Sequence, residues 1–197
     1  MIRTGLFHLL AYLWAAFGVY WMGVPLLNRA PAQGKSTHSG EFRLYRPLRL
    51  LILAVTFSLL FWGHAAVGFL GRRFAPTSAA LAIAGFAAAL LGLAVATWAR
   101  INLGRYWSDK VVLQADHKLV RSGPYAYMRH PIYTGVLLGV AGTAVVLGEW
   151  RGAAAFLLLL TNYIIKARRE EKILAQQFGE EFSIHQRQAV FLLPKFH

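Results

Sequence analysis

The chain of 197 residues contains no cysteine, which excludes disulfide bonds, thiolate metal sites and a cysteine nucleophile. Acidic residues are scarce as well, because eight Asp and Glu stand against 21 Lys and Arg and give a formal net charge of +13. Only 15% of the residues are charged, whereas 57% are hydrophobic and the mean hydropathy is +0.45. Soluble domains rarely have this composition, so we expect a membrane protein.

Long apolar stretches explain the composition. A helix needs about 20 residues to cross a hydrocarbon core. Three stretches are long enough and contain no Lys, Arg, Asp or Glu: residues 5–27, 50–71 and 77–99. Two shorter apolar blocks follow at 132–148 and 152–165. Only three residues separate these two, a pattern that indicates a tight helical hairpin.

An open sheet is excluded in lipid, because its backbone groups would have no partners there. The sequence therefore predicts an all-α fold, a polytopic membrane helix bundle of about five transmembrane helices with a tight hairpin of the last two and a cytoplasmic C-terminal helix. We expect two parts. Residues 1–99 hold three N-terminal spans and a cytoplasmic loop at 28–46, and residues 100–197 form the cofactor-binding half with loop 100–131, helices 132–148 and 152–178, and the tail.

The basic residues divide unevenly between the two sides that five spans imply. Seventeen of the 21 fall on the side of loops 28–46 and 100–131 and the tail, and the other side holds Arg3, Arg72, Arg73 and Arg151. Lys and Arg stay cytoplasmic during insertion, so we expect the N-terminus outside and the C-terminus in the cytoplasm. Without a soluble basic face, nucleic acid is not an expected partner. The Ala- and Gly-rich spans favour a prokaryotic inner membrane.

Small residues in the fourth span, Gly135, Gly139 and Gly142, would let a partner helix approach closely. Two histidines in apolar blocks, His8 and His64, have no clustered partner in the sequence, and we expect both to stay neutral with structural roles.

Ionisable residues that could form a site cluster around loop 100–131: His117, Arg129 and His130. On a helical wheel of residues 166–178, Glu170 falls with the apolar stripe and Glu171 to the side. A carboxylate on a buried face must be paired or ligand-bound, so Glu170 either bonds locally to Lys166 or meets the loop across the bundle mouth. A metal site of His117, His130 and Glu170 is not expected, because the spacing matches no standard motif.

The residues around 130 favour a zwitterionic ligand with a flat ring. Arg129 and His130 supply donors, Tyr125 and Tyr133 supply rings, and Pro131 fits the first turn of a helix whose free N–H groups point into the same volume. An amino-acid-bearing nucleoside has these features. A dinucleotide of the Rossmann type does not fit, because no G-x-G-x-x-G follows a strand.

The sequence resembles the isoprenylcysteine carboxyl methyltransferase family of integral membrane enzymes, including its short prokaryotic members. The resemblance is carried by LGRYWS (103–108), HKLVRSGPYAYMRHPIYTG (117–135), REEKILAQQFGEEF (169–182) and FLLPK (191–195). It covers about the C-terminal half of the chain, and the first two spans match only in being apolar.

This resemblance implies S-adenosylmethionine as methyl donor and a lipophilic acceptor that reaches in from the bilayer. Catalytic roles would fall on Arg129, His130, Glu170 and Lys166. Cofactor contacts would fall on His117, Lys118, Leu119, Val120, Tyr125, His130, Pro131, Tyr133 and Glu170, and no metal is implied. Lys166 stands where the family has an arginine on the acceptor side, and lysine lacks the bidentate fork of arginine.

Three other functions remain open on the residues. A phospholipid N-methyltransferase would share the donor pocket and differ in its acceptor. A reductase of the sterol reductase kind resembles these enzymes in the C-terminal half but uses NADPH. A non-catalytic membrane scaffold would keep the fold alone, and the intact set of Arg129, His130, Pro131 and Glu170 argues against it.

Overall fold

The computed structural model describes residues 2–27, 45–104 and 119–192. In these ranges the regular elements are helices: α1 (Ile2–Leu27), α2 (Tyr45–Phe61), α3 (Ala79–Leu103), α4 (Pro131–Leu147) and α5 (Trp150–Gln188), with short 3-10 helices at Gly63–Ala65, Gly68–Gly71 and Gly123–Ala126. The predicted all-α class is confirmed for this part of the chain. His117, Lys118 and most of loop 28–46 lie outside the described residues.

Within the described ranges, two helices are long and apolar enough to cross a membrane, Ile2–Gly23 within α1 and Ala79–Leu103. Helices α2 and α4 have 17 residues each. At 1.5 Å per residue that is about 26 Å, slightly less than the about 30 Å of a hydrocarbon core. The bundle thus has the predicted helical character, and five spans stay a prediction.

The second apolar block does not form the single span predicted over 50–71. Helix α2 ends at Phe61. The guanidinium group of Arg151 donates to the carbonyls of Leu59 at 3.1 Å and Trp62 at 3.0 Å. An arginine placed on the last carbonyls of a helix satisfies acceptors that have no partner within the helix. A distant arginine therefore caps the helix end, which the apolar run does not reveal.

Glycines bring the backbones of α3 and α4 into contact. A Cβ on Gly135 would lie 2.5 Å from the Ala96 nitrogen, and one on Gly92 would lie 2.5 Å from the Gly135 oxygen. A Cβ on Gly142 would lie 2.5 Å from the Ala89 nitrogen. Real Cβ atoms do not approach backbone atoms this closely, so only glycine fits. The predicted close approach is confirmed, with α3 as the partner helix.

Gly139 faces α1 instead. A Cβ there would lie 2.9 Å from the ring of Trp14, and the Trp14 Nε1 donates to the Thr143 hydroxyl at 3.0 Å. A buried indole N–H needs such an acceptor, so this bond holds α1 against α4.

The last two helices form the tight hairpin that the sequence predicts. Helix α4 ends at Leu147, and Gly148 caps it in the left-handed conformation with φ +67°. Helix α5 begins at Trp150 and continues to Gln188, with a break at Gly179, where φ is +50°. We call the end with this turn the hairpin end, and the end where α4 begins at Pro131 the loop end.

A cluster of apolar side chains at the loop end ties four helices together. Its buried members are Ala99 of α3, Tyr125 of the 3-10 helix Gly123–Ala126, Ile132 and Tyr133 of α4, and Ala167 of α5. Trp21 of α1 packs against them. The loop that precedes α4 therefore lies directly beside the polar half of α5.

Candidate functional site

The residues before α4 form a short, tightly packed segment. Gly123 begins a 3-10 helix with φ +57°, and a Cβ there would lie 2.5 Å from the Asn102 side chain. His130 then precedes the first helical residue, Pro131, as the N-cap. Proline suits this position because its missing N–H would have no partner in the first turn. His130 is thus fixed at the mouth of the bundle, with 6% of its surface exposed.

The chain beyond α5 returns to this segment and pairs with it. The Arg129 nitrogen donates to the Val190 oxygen at 2.8 Å, and the Val190 nitrogen donates to the Tyr127 oxygen at 3.3 Å. The Thr134 hydroxyl also donates to the Leu192 carbonyl. These contacts make residues 189–192, which we call the C-terminal segment, part of the site wall.

His130 lies between two carboxylates of α5. Its Nε2 is 3.3 Å from Glu171 Oε1, and its Nδ1 is 3.7 Å from Glu170 Oε2. The Tyr133 hydroxyl donates to Glu170 Oε1 at 2.6 Å. The rings of His130 and Tyr133 are stacked, with centroids 5.4 Å apart, and Tyr163 stacks on Tyr133 at 4.6 Å. The loop and the last helix therefore meet, as the helical wheel predicts for Glu170.

Glu170 also has the local partner that was the alternative in the sequence. The Lys166 Nζ lies 3.7 Å from Glu170 Oε1 and 5.3 Å from the centre of the Tyr133 ring. The two interpretations are thus compatible, because Glu170 binds Lys166 on its own helix and Tyr133 on α4.

Arg129 donates to protein groups. Its Nε lies 2.6 Å from Glu171 Oε1, its terminal nitrogen donates to the Gln186 oxygen at 3.1 Å and also to the Ala189 carbonyl, and its guanidinium group lies over the Phe191 ring at 5.7 Å. In this structure Arg129 therefore holds the C-terminal segment in place through its Nε and one terminal nitrogen, and it also lines the cavity described below.

Glu171 belongs to the site although the sequence did not single it out. Burial raises the pKa of this carboxyl, but the hydrogen bonds and positive charges of His130 and Arg129 outweigh burial, and the pKa lies below its ordinary value. Glu171 is therefore ionised at neutral pH. The sequence did contain a signal for Glu171, namely its position directly after Glu170. Neighbouring side chains on a helix point about 100° apart, so two adjacent glutamates can contact different partners at one site.

A cavity of about 70 Å³ adjoins His130 at the loop end. Its lining residues are Leu103, Leu119, Val120, Tyr125, Arg129, His130, Leu174, Phe182 and His185. The sequence assigned four of these to the cofactor: Leu119, Val120, Tyr125 and His130. Tyr133 and Glu170, also assigned to the cofactor, contact His130 and are not part of the cavity lining. Leu103, Leu174, Phe182 and His185 were missed, because the helix pattern does not show which residues of α3 and α5 converge.

His185 is a buried imidazole in the wall of this cavity, with 4% of its surface exposed. Burial lowers the pKa of His185, and the charges of Arg121, Arg129 and His130 lower it further against the opposing effect of Glu171. The imidazole is therefore neutral at pH 7. The cavity thus combines apolar walls with hydrogen-bonding rings and the guanidinium group of Arg129.

The segment that holds the site is similar in sequence to known proteins. Residues 83–176, which include most of α3, all of α4 and about the first two-thirds of α5, match the model of the isoprenylcysteine carboxyl methyltransferase family. The resemblance to this family is confirmed. A probable protein-S-isoprenylcysteine O-methyltransferase of Oryza sativa subsp. indica is 33% identical over 101 residues, which are 50% of this chain and 53% of that protein. The chain thus spans about half the length of the curated relatives it matches.

The family fold extends beyond the matched segment. A solved structure of a eukaryotic intramembrane Ras methyltransferase, an isoprenylcysteine carboxyl methyltransferase, aligns with a TM-score of 0.64 over 98% of this chain and 68% of that chain, at 19% identity. The helices of the N-terminal half therefore share the fold of that structure. A steroid 5-alpha-reductase of Solanum lycopersicum is 28% identical over 109 residues, which are 48% of this chain and 42% of that protein. The chain is thus also similar to a reductase, although not to one named as a sterol reductase.

Proposed function

We propose that this chain is an integral membrane methyltransferase that uses S-adenosylmethionine as methyl donor and a lipophilic acceptor drawn from the bilayer. The observation that carries the proposal is the convergence of His130, Tyr133 and Glu170 beside a cavity, within the segment that matches the methyltransferase family.

The cavity has the chemistry that one part of such a donor requires. Leu103, Leu119 and Val120 offer an apolar wall to a flat base, and Tyr125 and His185 offer hydrogen-bonding groups at its edge. A pocket for a whole ligand takes about 300 Å³ or more, so the remainder of the donor would extend past His130 toward Glu170. His117 and Lys118, assigned to the donor from the sequence, lie outside the described residues.

The polar cluster suits the other part of the donor. S-Adenosylmethionine supplies a methyl group that its sulfonium already activates, so alignment and exclusion of water would give most of the acceleration. Glu170 presents a carboxylate, and the stacked rings of Tyr133 and Tyr163 present faces that attract a cation. Lys166, on the far side of Glu170 from the loop, is the residue we assign to the acceptor.

We further propose that the loop end faces the cytoplasm of a prokaryotic cell and that the N-terminus lies outside. The support is the seventeen-to-four division of Lys and Arg between the two sides. A reporter fused to the C-terminus reads the orientation directly, and a reporter found outside the cell would overturn it.

The binding test uses detergent-purified protein and calorimetry with S-adenosylhomocysteine, the demethylated product, and with NADPH. We expect the first to bind and the second not to bind. The opposite result would favour the reductase function, which the tomato relative represents. Binding of neither would leave the helix bundle without the proposed donor site.

The acceptor is tested by transfer of radiolabelled methyl from S-adenosylmethionine to a total membrane extract, which is then separated into lipid, protein and small-molecule fractions. We expect the label in a lipophilic fraction. Label in phospholipid amines would favour the phospholipid N-methyltransferase alternative, and label in water-soluble molecules alone would contradict a bilayer acceptor.

A further inference from the structure

Asn162 is a buried amide with an unused donor. It lies on α5 with 3% of its surface exposed, and within the described residues its Nδ2 has no hydrogen-bond partner. Buried polar groups are almost always paired, since water is lost without compensation when they are not. A buried donor without a protein acceptor indicates that something else supplies one.

The position of Asn162 links it to the polar cluster. It precedes Lys166 by four residues and Glu170 by eight, so the three share one face of α5. The next residue, Tyr163, stacks on Tyr133, whose hydroxyl binds Glu170. Asn162 therefore lies one helical turn deeper in the bundle than Lys166.

The helix opposite adds a cation at the same depth. Arg151 of α5 contacts the Leu60 carbonyl of α2, and the two helices run antiparallel from that contact. Eleven residues back along α2 stands Arg49, and eleven residues forward along α5 stands Asn162. Arg49 is buried, with 2% of its surface exposed. This level of the bundle thus holds the cation of Arg49 and the amide donor of Asn162.

We propose that Asn162 binds an oxygen atom of the methyl acceptor, a carbonyl or carboxylate oxygen, and holds it one turn below Lys166. This inference rests on the proposed methyl transfer and assigns Asn162 to the recognition of the acceptor. The proposed donor site runs from the cavity to Glu170, and Asn162 lies two helical turns, about 12 Å along α5, deeper than Glu170 and outside the cavity lining. Asn162 is therefore expected to act on the acceptor alone.

The test compares Asn162→Leu with Thr161→Val. Leucine has the same number and branching of side-chain heavy atoms as asparagine but lacks its hydrogen-bond donor. Thr161 is the adjacent, exposed residue, whose hydroxyl donates only to the Leu157 carbonyl of its own helix, and its variant controls for loss of a polar group on α5. Three quantities are measured for each: the thermal midpoint in detergent, the affinity for S-adenosylhomocysteine, and the initial rate of methyl transfer from radiolabelled S-adenosylmethionine over a dilution series of total membrane extract.

We expect Asn162→Leu to keep or raise the thermal midpoint, because an unsatisfied buried donor is removed. Its affinity for S-adenosylhomocysteine should stay within about twofold, whereas the transfer rate at limiting extract should fall roughly tenfold, the loss of one buried hydrogen bond. Raising the extract concentration should recover part of the rate. Thr161→Val should match the wild type in all three.

Other results overturn the inference. If Asn162→Leu lowers the thermal midpoint, the amide has a structural role. If it abolishes the affinity for S-adenosylhomocysteine, Asn162 belongs to the donor site. If the transfer rate is unchanged, Asn162 does not contact the acceptor. A wild-type protein that binds product but labels nothing, or binds no product, would remove the proposed function and this inference together. An active wild type with an equally active Asn162→Leu would remove the inference alone.

Discussion

The polar side chains of the site stabilise one another. His130 contacts both Glu170 and Glu171, and Arg129 and Lys166 each lie beside one of these carboxylates. Buried charges are tolerated when they are paired and hydrogen-bonded, so removal of one partner costs more than the pair itself contributes. We therefore expect single substitutions in this cluster to affect neighbouring groups as well.

His185 makes a pH-dependent contribution that can be measured. Its pKa is lowered in the folded protein from an ordinary value of 6.5, because the imidazole is buried among positive charges. Between the lowered and the ordinary value the unfolded chain binds more protons, so stability rises with pH in that window. The contribution is present above pH 6.5 and is lost as the pH falls below it. We expect the thermal midpoint in detergent to fall from pH 7 to pH 5, and less so in His185→Gln.

The control for this prediction is His64→Gln. His64 is exposed in the 3-10 helix Gly63–Ala65, at the other end of α2 from the site. Its variant should follow the wild type over the whole pH range. If His185→Gln follows the wild type just as closely, burial of a neutral His185 is not the source of the pH dependence.

At the scale of elements, the pairing of α3 with α4 positions the site, because α4 carries His130 at its start. Part of this arrangement was predictable. The glycines of α4, the proline at its first turn and the helical wheel of α5 each depend on local sequence, and the contacts agree with them. The end of α2 and the docking of the C-terminal segment were not predictable, because Arg151 and Arg129 act on residues 57 to 92 positions away in the chain.

The helix contact predicts a sensitive position. We expect Gly92→Ala to destabilise the protein by about 1–3 kcal/mol, since the new methyl would overlap the backbone of Gly135 and Gly139. Thermal unfolding in detergent measures the change. Gly18→Ala in α1 is the matched control, because nothing lies within 4 Å of the added Cβ. Equal midpoints for the two variants would contradict the close contact of α3 and α4.

For the whole molecule, the arginines at the hairpin end have structural uses. Arg3 and Arg73 donate to the Leu147 carbonyl at the end of α4, and Arg151 caps α2. Three of the four basic residues counted on that side therefore donate hydrogen bonds to carbonyl groups at helix ends. In the described part of the chain, Arg100, Arg121, Arg129 and Lys166 lie toward the loop end, which supports the proposed cytoplasmic orientation.

The central claim is that loop and last helix together form the donor site, and Glu170 tests it most directly. The measurement is the calorimetric affinity for S-adenosylhomocysteine of the wild type, Glu170→Ala, Glu170→Gln and the exposed control Glu180→Ala. Glutamine retains a hydrogen-bond acceptor for Tyr133, so it removes the charge while keeping the fold. The account predicts that both Glu170 variants remain folded by thermal unfolding and lose at least about tenfold in affinity, with Glu180→Ala unchanged. Wild-type affinity in folded Glu170→Ala and Glu170→Gln would contradict it.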